Sequence, residues 1–135
     1  MLQELRRDCQ VPPLLEGLRI LVLEDEFLIA MDVEQLCRDH GANDVVIARA
    51  LAEIDEQKVV GEFDAAIVDL MLGGTSTLDF AARLRQLGLP FVFASGYSDP
   101  DEIKVSFPGI RLVTKPYSGT DLVEALAAAC GRAPV

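Results

Sequence analysis

Four short apolar runs, each ending abruptly at a polar residue, constrain the fold of this chain more than any other feature. The runs are Ile20–Leu23, Ala65–Val68, Phe91–Ala94 and Ile110–Val113. Each has the length of one β-strand and is apolar at nearly every position, which is typical of strands buried on both faces of a parallel sheet. Because such a sheet needs helices on both faces, the runs predict a layered α/β domain.

Segments with helical periodicity alternate with the apolar runs. Helices are predicted over 26–39, 50–59, 76–88 and 119–130, with a short one after Asp99, and a further strand over 44–48. The alternation predicts a five-stranded parallel sheet of the doubly wound (βα)5, flavodoxin-like kind. We expect residues 18–132 to form one domain, preceded by a leader or linker over 1–17 and followed by a tail over 133–135.

The charge and composition of the chain disfavour several classes of protein. The formal net charge is -10, which argues against direct binding of nucleic acid. No apolar stretch has the length of a membrane span, and the charged start of the chain does not resemble a signal peptide. Cys9, Cys37 and Cys130 lack metal-ligand spacing. We therefore expect a cytoplasmic protein with no membrane partner.

Charged and polar side chains follow the apolar runs. Glu24 and Asp25 follow the first run, Asp69 the second, Ser95 the third and Lys115 lies just after the fourth. Ligands of parallel sheets bind beyond the carboxyl ends of the strands, so we expect these side chains to converge. Two carboxylates about 5 Å apart repel by roughly 3 kcal/mol at an effective dielectric of about 20. The cluster therefore predicts a magnesium-dependent site that accepts a phosphoryl group.

Three motifs carry a resemblance to a known family. The segments Leu21–Glu26, Phe63–Asp69 and Val113–Pro116 resemble, in order and spacing, the motifs of bacterial response-regulator receiver domains. The resemblance covers essentially the whole of 18–132. It implies a receiver fold and a phosphoprotein that works in two-component signal transduction or a phosphorelay, not an enzyme beyond its own phosphorylation and dephosphorylation.

The resemblance also implies how a metal is held. Glu24, Asp25 and Asp69 would hold Mg²⁺, with Mn²⁺ as an alternative, directly or through water. The backbone carbonyl of Met71 is expected as a further ligand. Magnesium prefers such hard oxygen ligands.

By the same resemblance, Asp69 is the phosphoacceptor, and Ser95 and Lys115 bind phosphoryl oxygens. The donor is expected to be a sensor histidine kinase or a phosphotransfer protein, and the output partner is unknown. An attacking carboxylate and a phosphoryl group are both negative, so the reaction requires a metal and a cation.

The sequence departs from the commonest receiver pattern. Gly73 and Gly74 lie where many receivers have a proline after the phosphoacceptor, and Leu112 lies where many have an aromatic switch residue. Pro90–Tyr97 resembles the sequence motif of the FATGUY subgroup of receivers. The members of that subgroup are similar to the partners of HWE-type histidine kinases. We therefore expect Gly96 and Tyr97 to carry part of the switch and output.

Four alternatives remain at this point. The chain could be a receiver domain excised from a hybrid histidine kinase, or a pseudo-receiver that only binds partners. A metal-dependent phosphohydrolase of the haloacid-dehalogenase type is disfavoured because Leu23–Glu26 lacks the expected paired aspartates. A dinucleotide enzyme is disfavoured because the first strand lacks a glycine-rich turn.

Overall fold

The computed structural model describes residues 13–96, 100–115 and 121–132. Its strands are β1 Arg19–Leu23, β2 Asp44–Ala48, β3 Ala65–Asp69, β4 Met71–Leu72, β5 Thr75–Ser76, β6 Phe91–Ser95 and β7 Leu112–Thr114. Its helices are α1 Phe27–Asp39, α2 Val59–Glu62, α3 Leu78–Leu87, α4 Pro100–Ser106 and α5 Asp121–Ala129.

Five of the strands form one parallel sheet in the order β2-β1-β3-β6-β7. The predicted five-stranded, doubly wound parallel sheet is thus confirmed. The chain leaves β1 toward β2 on one side and returns to β3 on the other. This reversal creates the crevice beyond the carboxyl ends of β1 and β3 where ligands bind in such sheets.

The two faces of the sheet carry separate apolar layers. Alternate residues of β1 point to opposite faces, so Ile20 packs in one layer and Leu21 in the other. The first layer includes α1 and α5, and the second includes α3 and Phe107 beyond α4. Burial on both sides explains why the central strands are apolar without alternation.

The predicted second helix over 50–59 is wrong. The chain forms a 3-10 turn at Leu51–Glu53, is extended at Ile54, and becomes helical only at α2. The Asp55 carboxylate accepts a hydrogen bond from the Gln57 N–H at 3.0 Å. Such a local side-chain bond offers the backbone at 55–57 an alternative to the helical hydrogen-bond pattern.

Three further features of the secondary structure differ from the prediction. A hairpin of β4 and β5 follows Asp69, where no strands were predicted. Helix α3 begins at Leu78, two residues later than predicted, because the backbone at 75–76 pairs in this hairpin. Strand β7 begins at Leu112 and not at Ile110, whose N–H instead bonds the Phe107 carbonyl at 3.2 Å.

Part of the segment predicted as a leader packs with the domain. Leu15 is fully buried, and its N–H donates to the His40 carbonyl at 2.9 Å. The Gly17 N–H donates to the Gly41 carbonyl, and the Arg132 guanidinium donates to the Glu16 carbonyl at 2.7 Å. Hydrogen bonds therefore connect residues on both sides of the predicted domain boundary. These bonds lie at the end of the domain opposite the carboxyl ends of the strands.

Candidate functional site

The carboxyl ends of neighbouring strands bring most of the predicted site residues to one edge of the sheet. Strand β3 ends at Asp69 and β6 at Ser95, while Glu24 directly follows β1 and Lys115 directly follows β7. The register pairs Asp69 with Ala94, so these strands end nearly level. Parallel pairing therefore places residues that are far apart in sequence side by side.

Three carboxylates converge at this edge. Glu24, Asp25 and Asp69 each offer an oxygen, and these oxygens lie within 4.8 Å of one another. Glu24 and Asp69 are buried, at 2% and 7% exposure. The Asp25 carboxylate accepts a hydrogen bond from the Gly73 N–H at 3.2 Å. Such a set of hard oxygen donors fits Mg²⁺.

Lys115 is the cation of this cluster. Its Nζ lies 2.5 Å from Oε1 of Glu24 and 2.9 Å from Oδ2 of Asp69. The backbone N–H of Lys115 donates to the Ser95 carbonyl at 2.8 Å. This bond extends the β6–β7 pairing by one residue and holds Lys115 at the carboxyl edge of the sheet. Burial alone would lower the pKa of the ammonium, but the hydrogen bonds to Glu24 and Asp69 raise that pKa above its ordinary value.

The Glu24 carboxylate is held from two sides. Its Oε2 accepts a hydrogen bond from the Glu26 N–H at 3.1 Å, and its Oε1 pairs with Lys115. Burial raises the pKa of the Glu24 carboxyl above its ordinary value, and these two contacts oppose the rise. The nearby Asp69 carboxylate adds to the rise, as expected where like charges share a site. A second cation would relieve this repulsion.

The remaining predicted residues occupy different positions. Ser95 is buried at the end of β6, and Gly96 follows it in an exposed bend. The Met71 N–H donates a hydrogen bond to Oδ1 of Asp69 at 3.4 Å. Tyr97 lies outside the described residues.

The sequence analysis did not identify Thr77, whose side chain contacts the backbone of Asp69. This threonine is fully buried, and its hydroxyl donates to the Asp69 carbonyl at 2.5 Å. Its position in sequence indicates only a helix start, which Ser76 and Thr77 signal equally well. The unforeseen hairpin returns Thr77 to the end of β3, so no local pattern could identify this contact.

Known proteins resemble the chain in both sequence and fold, although no profile of a known protein family matches it. The transcriptional regulatory protein PdtaR of Mycobacterium tuberculosis is 27% identical over 117 residues, covering 84% of this chain and 57% of PdtaR. The response regulator PhyR from Brucella abortus is 28% identical with a TM-score of 0.68, covering 87% of this chain and 50% of PhyR. The chain thus spans about half the length of these two relatives.

The fold likeness extends to a protein of similar length. The response regulator receiver protein from Sinorhizobium medicae WSM419 has a TM-score of 0.74 at 22% identity, covering 87% of this chain and 97% of that one. The chain has the receiver-domain fold. Together with the relatives above, this fold supports a response-regulator receiver domain of two-component signalling. Within the described part of the chain, no helix is long and apolar enough to cross a membrane.

Proposed function

We propose that this receiver domain accepts a phosphoryl group on Asp69 in the cytoplasm, with Mg²⁺, and signals through the resulting change in shape. The observation that carries the proposal is the convergence of three carboxylates and one ammonium beyond β1, β3 and β7. Buried carboxylates at this density favour binding of a divalent cation, because its positive charge offsets their mutual repulsion and that of an incoming phosphoryl group.

With a bound divalent cation, these residues would support formation of an acyl phosphate. An Asp69 oxygen would form a bond to phosphorus while the bond from phosphorus to the donor nitrogen breaks, and the electron pair would leave with the donor imidazole. The Nζ of Lys115 lies 2.9 Å from Oδ2 of Asp69, and it would pair with a negatively charged phosphoryl oxygen once the acyl phosphate has formed. Ser95 would bind another phosphoryl oxygen. Mg²⁺, held by Glu24, Asp25, Asp69 and the Met71 carbonyl, would supply neutralising charge.

His40 is not suited to be the phosphohistidine donor. His40 is the single histidine of the sequence. It is buried at the end of α1, and its Nδ1 lies 2.9 Å from the Leu36 carbonyl oxygen. This is the end of the sheet opposite Asp69. We propose a sensor histidine kinase of the HWE type, or a phosphotransfer protein, as the donor, in keeping with the FATGUY-like segment 90–97.

The output would pass through residues 96–109. Helix α4 spans only seven residues, and its described anchors are Ile103 and the following Phe107, whereas Val105 is 83% exposed. So small an anchored surface predicts a low free energy of local opening. Phosphorylation would draw in Ser95 and move Gly96 and Tyr97 with it. Amide exchange should be fast in α4 before phosphorylation and change afterwards, and slow exchange in both states would contradict this route.

Phosphorylation by a small donor tests the proposal. Incubation with acetyl phosphate and Mg²⁺ should add one phosphoryl group by intact mass, and chelation of the metal should prevent it. Asp69→Asn should abolish the adduct, because an amide cannot act as this nucleophile. Asp32→Asn, at an exposed position of α1, is the matched control and should be modified normally.

Three results would contradict the proposal. An adduct on Asp69→Asn at the wild-type rate would contradict the assignment of the acceptor. Steady turnover of an unrelated phosphoester would favour the phosphohydrolase alternative, and absence of any adduct would favour a pseudo-receiver. The longer relatives are compatible with a receiver cut from a hybrid kinase, and the full reading frame would decide this.

A further inference from the structure

The chain from Asp69 to Thr77 forms a closed loop beside the proposed phosphorylation site. Strands β4 and β5 pair Met71 with Ser76 and Leu72 with Thr75. The turn between them is Gly73-Gly74, with φ of 59° and 83°. Positive φ at both residues is the requirement of a type I′ hairpin turn, which glycine meets without steric cost. The two glycines therefore send the chain straight back toward the end of β3.

Thr77 closes this loop with both its side chain and its backbone. Its hydroxyl donates to the Asp69 carbonyl at 2.5 Å, and the Leu70 carbonyl oxygen lies 3.1 Å from the same hydroxyl. Its N–H donates to the Leu70 carbonyl, also at 3.1 Å. The side chain is fully buried, so water does not compete for these contacts. The Thr77 carbonyl in turn accepts the Ala81 N–H at 2.9 Å, which ties the loop to α3.

The closed loop also reaches the side chains of the acidic cluster. The Met71 nitrogen lies 3.4 Å from Oδ1 of Asp69, and the Gly73 N–H donates to Oδ2 of Asp25 at 3.2 Å. Leu72, between them, is buried in the core and anchors the hairpin. The segment that Thr77 holds at both ends thus orients two of the three carboxylates.

We propose that Thr77 is a positioning residue, whose hydroxyl fixes the backbone at 69–71 so that the Asp69 carboxylate and the Met71 carbonyl present their oxygens to a divalent cation. The inference rests on the proposed function, because it concerns the same site. Thr77 does not touch the reacting atoms. Its contribution is to hold them, in a loop that has two flexible glycines where a proline would restrict the backbone.

Two variants of Thr77 separate the hydroxyl from the shape of the side chain. Thr77→Val keeps the branched shape but removes the donor, and Thr77→Ser keeps the donor. The matched control is Thr75→Val, at an exposed position of the same hairpin. The probes are Mg²⁺ itself, titrated while amide chemical shifts are recorded, and acetyl phosphate as the donor, with amide exchange at 71–73 as an independent readout.

We expect Thr77→Val to bind Mg²⁺ about tenfold more weakly, the change that loss of one ordinary hydrogen bond produces. Amide exchange at 71–73 should accelerate, and phosphorylation below saturating Mg²⁺ should slow by a similar factor. Thr77→Ser and Thr75→Val should match the wild-type protein in all three measurements.

The inference is overturned if folded Thr77→Val binds Mg²⁺ with wild-type affinity. It is also overturned if Thr77→Ser is weakened as much as Thr77→Val, because the hydroxyl would then not be the cause. The comparison of Thr77→Ser with the wild-type protein remains informative even if Thr77→Val destabilises the fold. A wild-type domain that binds Mg²⁺ but never accepts a phosphoryl group would defeat the proposed function alone, since the titrations would still report on Thr77.

Discussion

The Nζ of Lys115 lies 2.5 Å from Oε1 of Glu24, so a residue that follows β7 pairs with one that follows β1. Strands β3 and β6 lie between these two strands in the sheet. The lysine therefore reaches across the ends of both, and it contacts Asp69 at the end of β3 on the way. One ammonium thus neutralises part of the charge of two buried carboxylates, and its removal leaves their repulsion uncompensated.

Lys115→Met should lower the free energy of unfolding by about 3 kcal/mol, the usual scale for removing one partner of a buried ion pair. The Lys115 side chain is 12% exposed, so solvent screens the pair only weakly. Urea denaturation without metal provides the measurement. Lys58→Met, at an exposed position, is the control and should change stability little. Equal losses in the two variants would show that the pairing with Glu24 and Asp69 contributes nothing.

Millimolar Mg²⁺ should stabilise the folded domain, because the cation binds the carboxylate cluster only when the strand ends are assembled. The expected gain is about 1.4 kcal/mol when free Mg²⁺ exceeds its Kd tenfold. Thermal melting with increasing Mg²⁺ measures the effect. Asp25→Asn should lose most of the gain, whereas Asp32→Asn on the exposed face of α1 should keep it. A melting temperature that does not change with Mg²⁺ concentration would argue against a metal site at this cluster.

The raised pKa of Lys115 predicts a loss of stability in alkali. Its ordinary value is 10.5, and the folded state holds the proton more tightly than the unfolded state does. The contribution of Lys115 is therefore complete below its unfolded pKa and disappears as the pH rises through the higher folded value. Subtracting the unfolding free energy of Lys115→Met from that of the wild-type protein, from about pH 9 upward, isolates this contribution. A difference that stays constant with pH would contradict the shift.

Leu15→Ala should destabilise the domain by about 2–5 kcal/mol, as truncation of a fully buried leucine does elsewhere. Leu15 has no exposed surface and belongs to the layer formed by α1 and α5. Leu28→Ala, at a position that is 75% exposed, is the control and should fall within about 0.5 kcal/mol of wild type. Similar unfolding curves for both variants would mean that residues before Leu18 do not contribute to the core.

Local pattern was sufficient for the elements whose two faces are both buried. The apolar runs of β1, β3 and β6, and the end of β3 at Asp69, follow from the pattern of the sequence alone. Pattern was insufficient where a short polar contact decided the conformation. The Asp55 side chain accepts a hydrogen bond from the Gln57 N–H within the segment 50–59, where a continuous helix was predicted and α2 begins only at Val59.

The sequence by itself determined the alternation of strands and helices and the placement of acids after β1 and β3, because hydropathy and charge are properties of single residues and their spacing. Only the tertiary structure decided that Lys115 bridges Glu24 and Asp69, that Leu15 belongs to the core, and that Thr77 bonds the Asp69 carbonyl. Each of these contacts joins residues from different elements. Their distance depends on strand order, register and a hairpin turn, which the free energy of the whole packed domain selects and no local segment encodes.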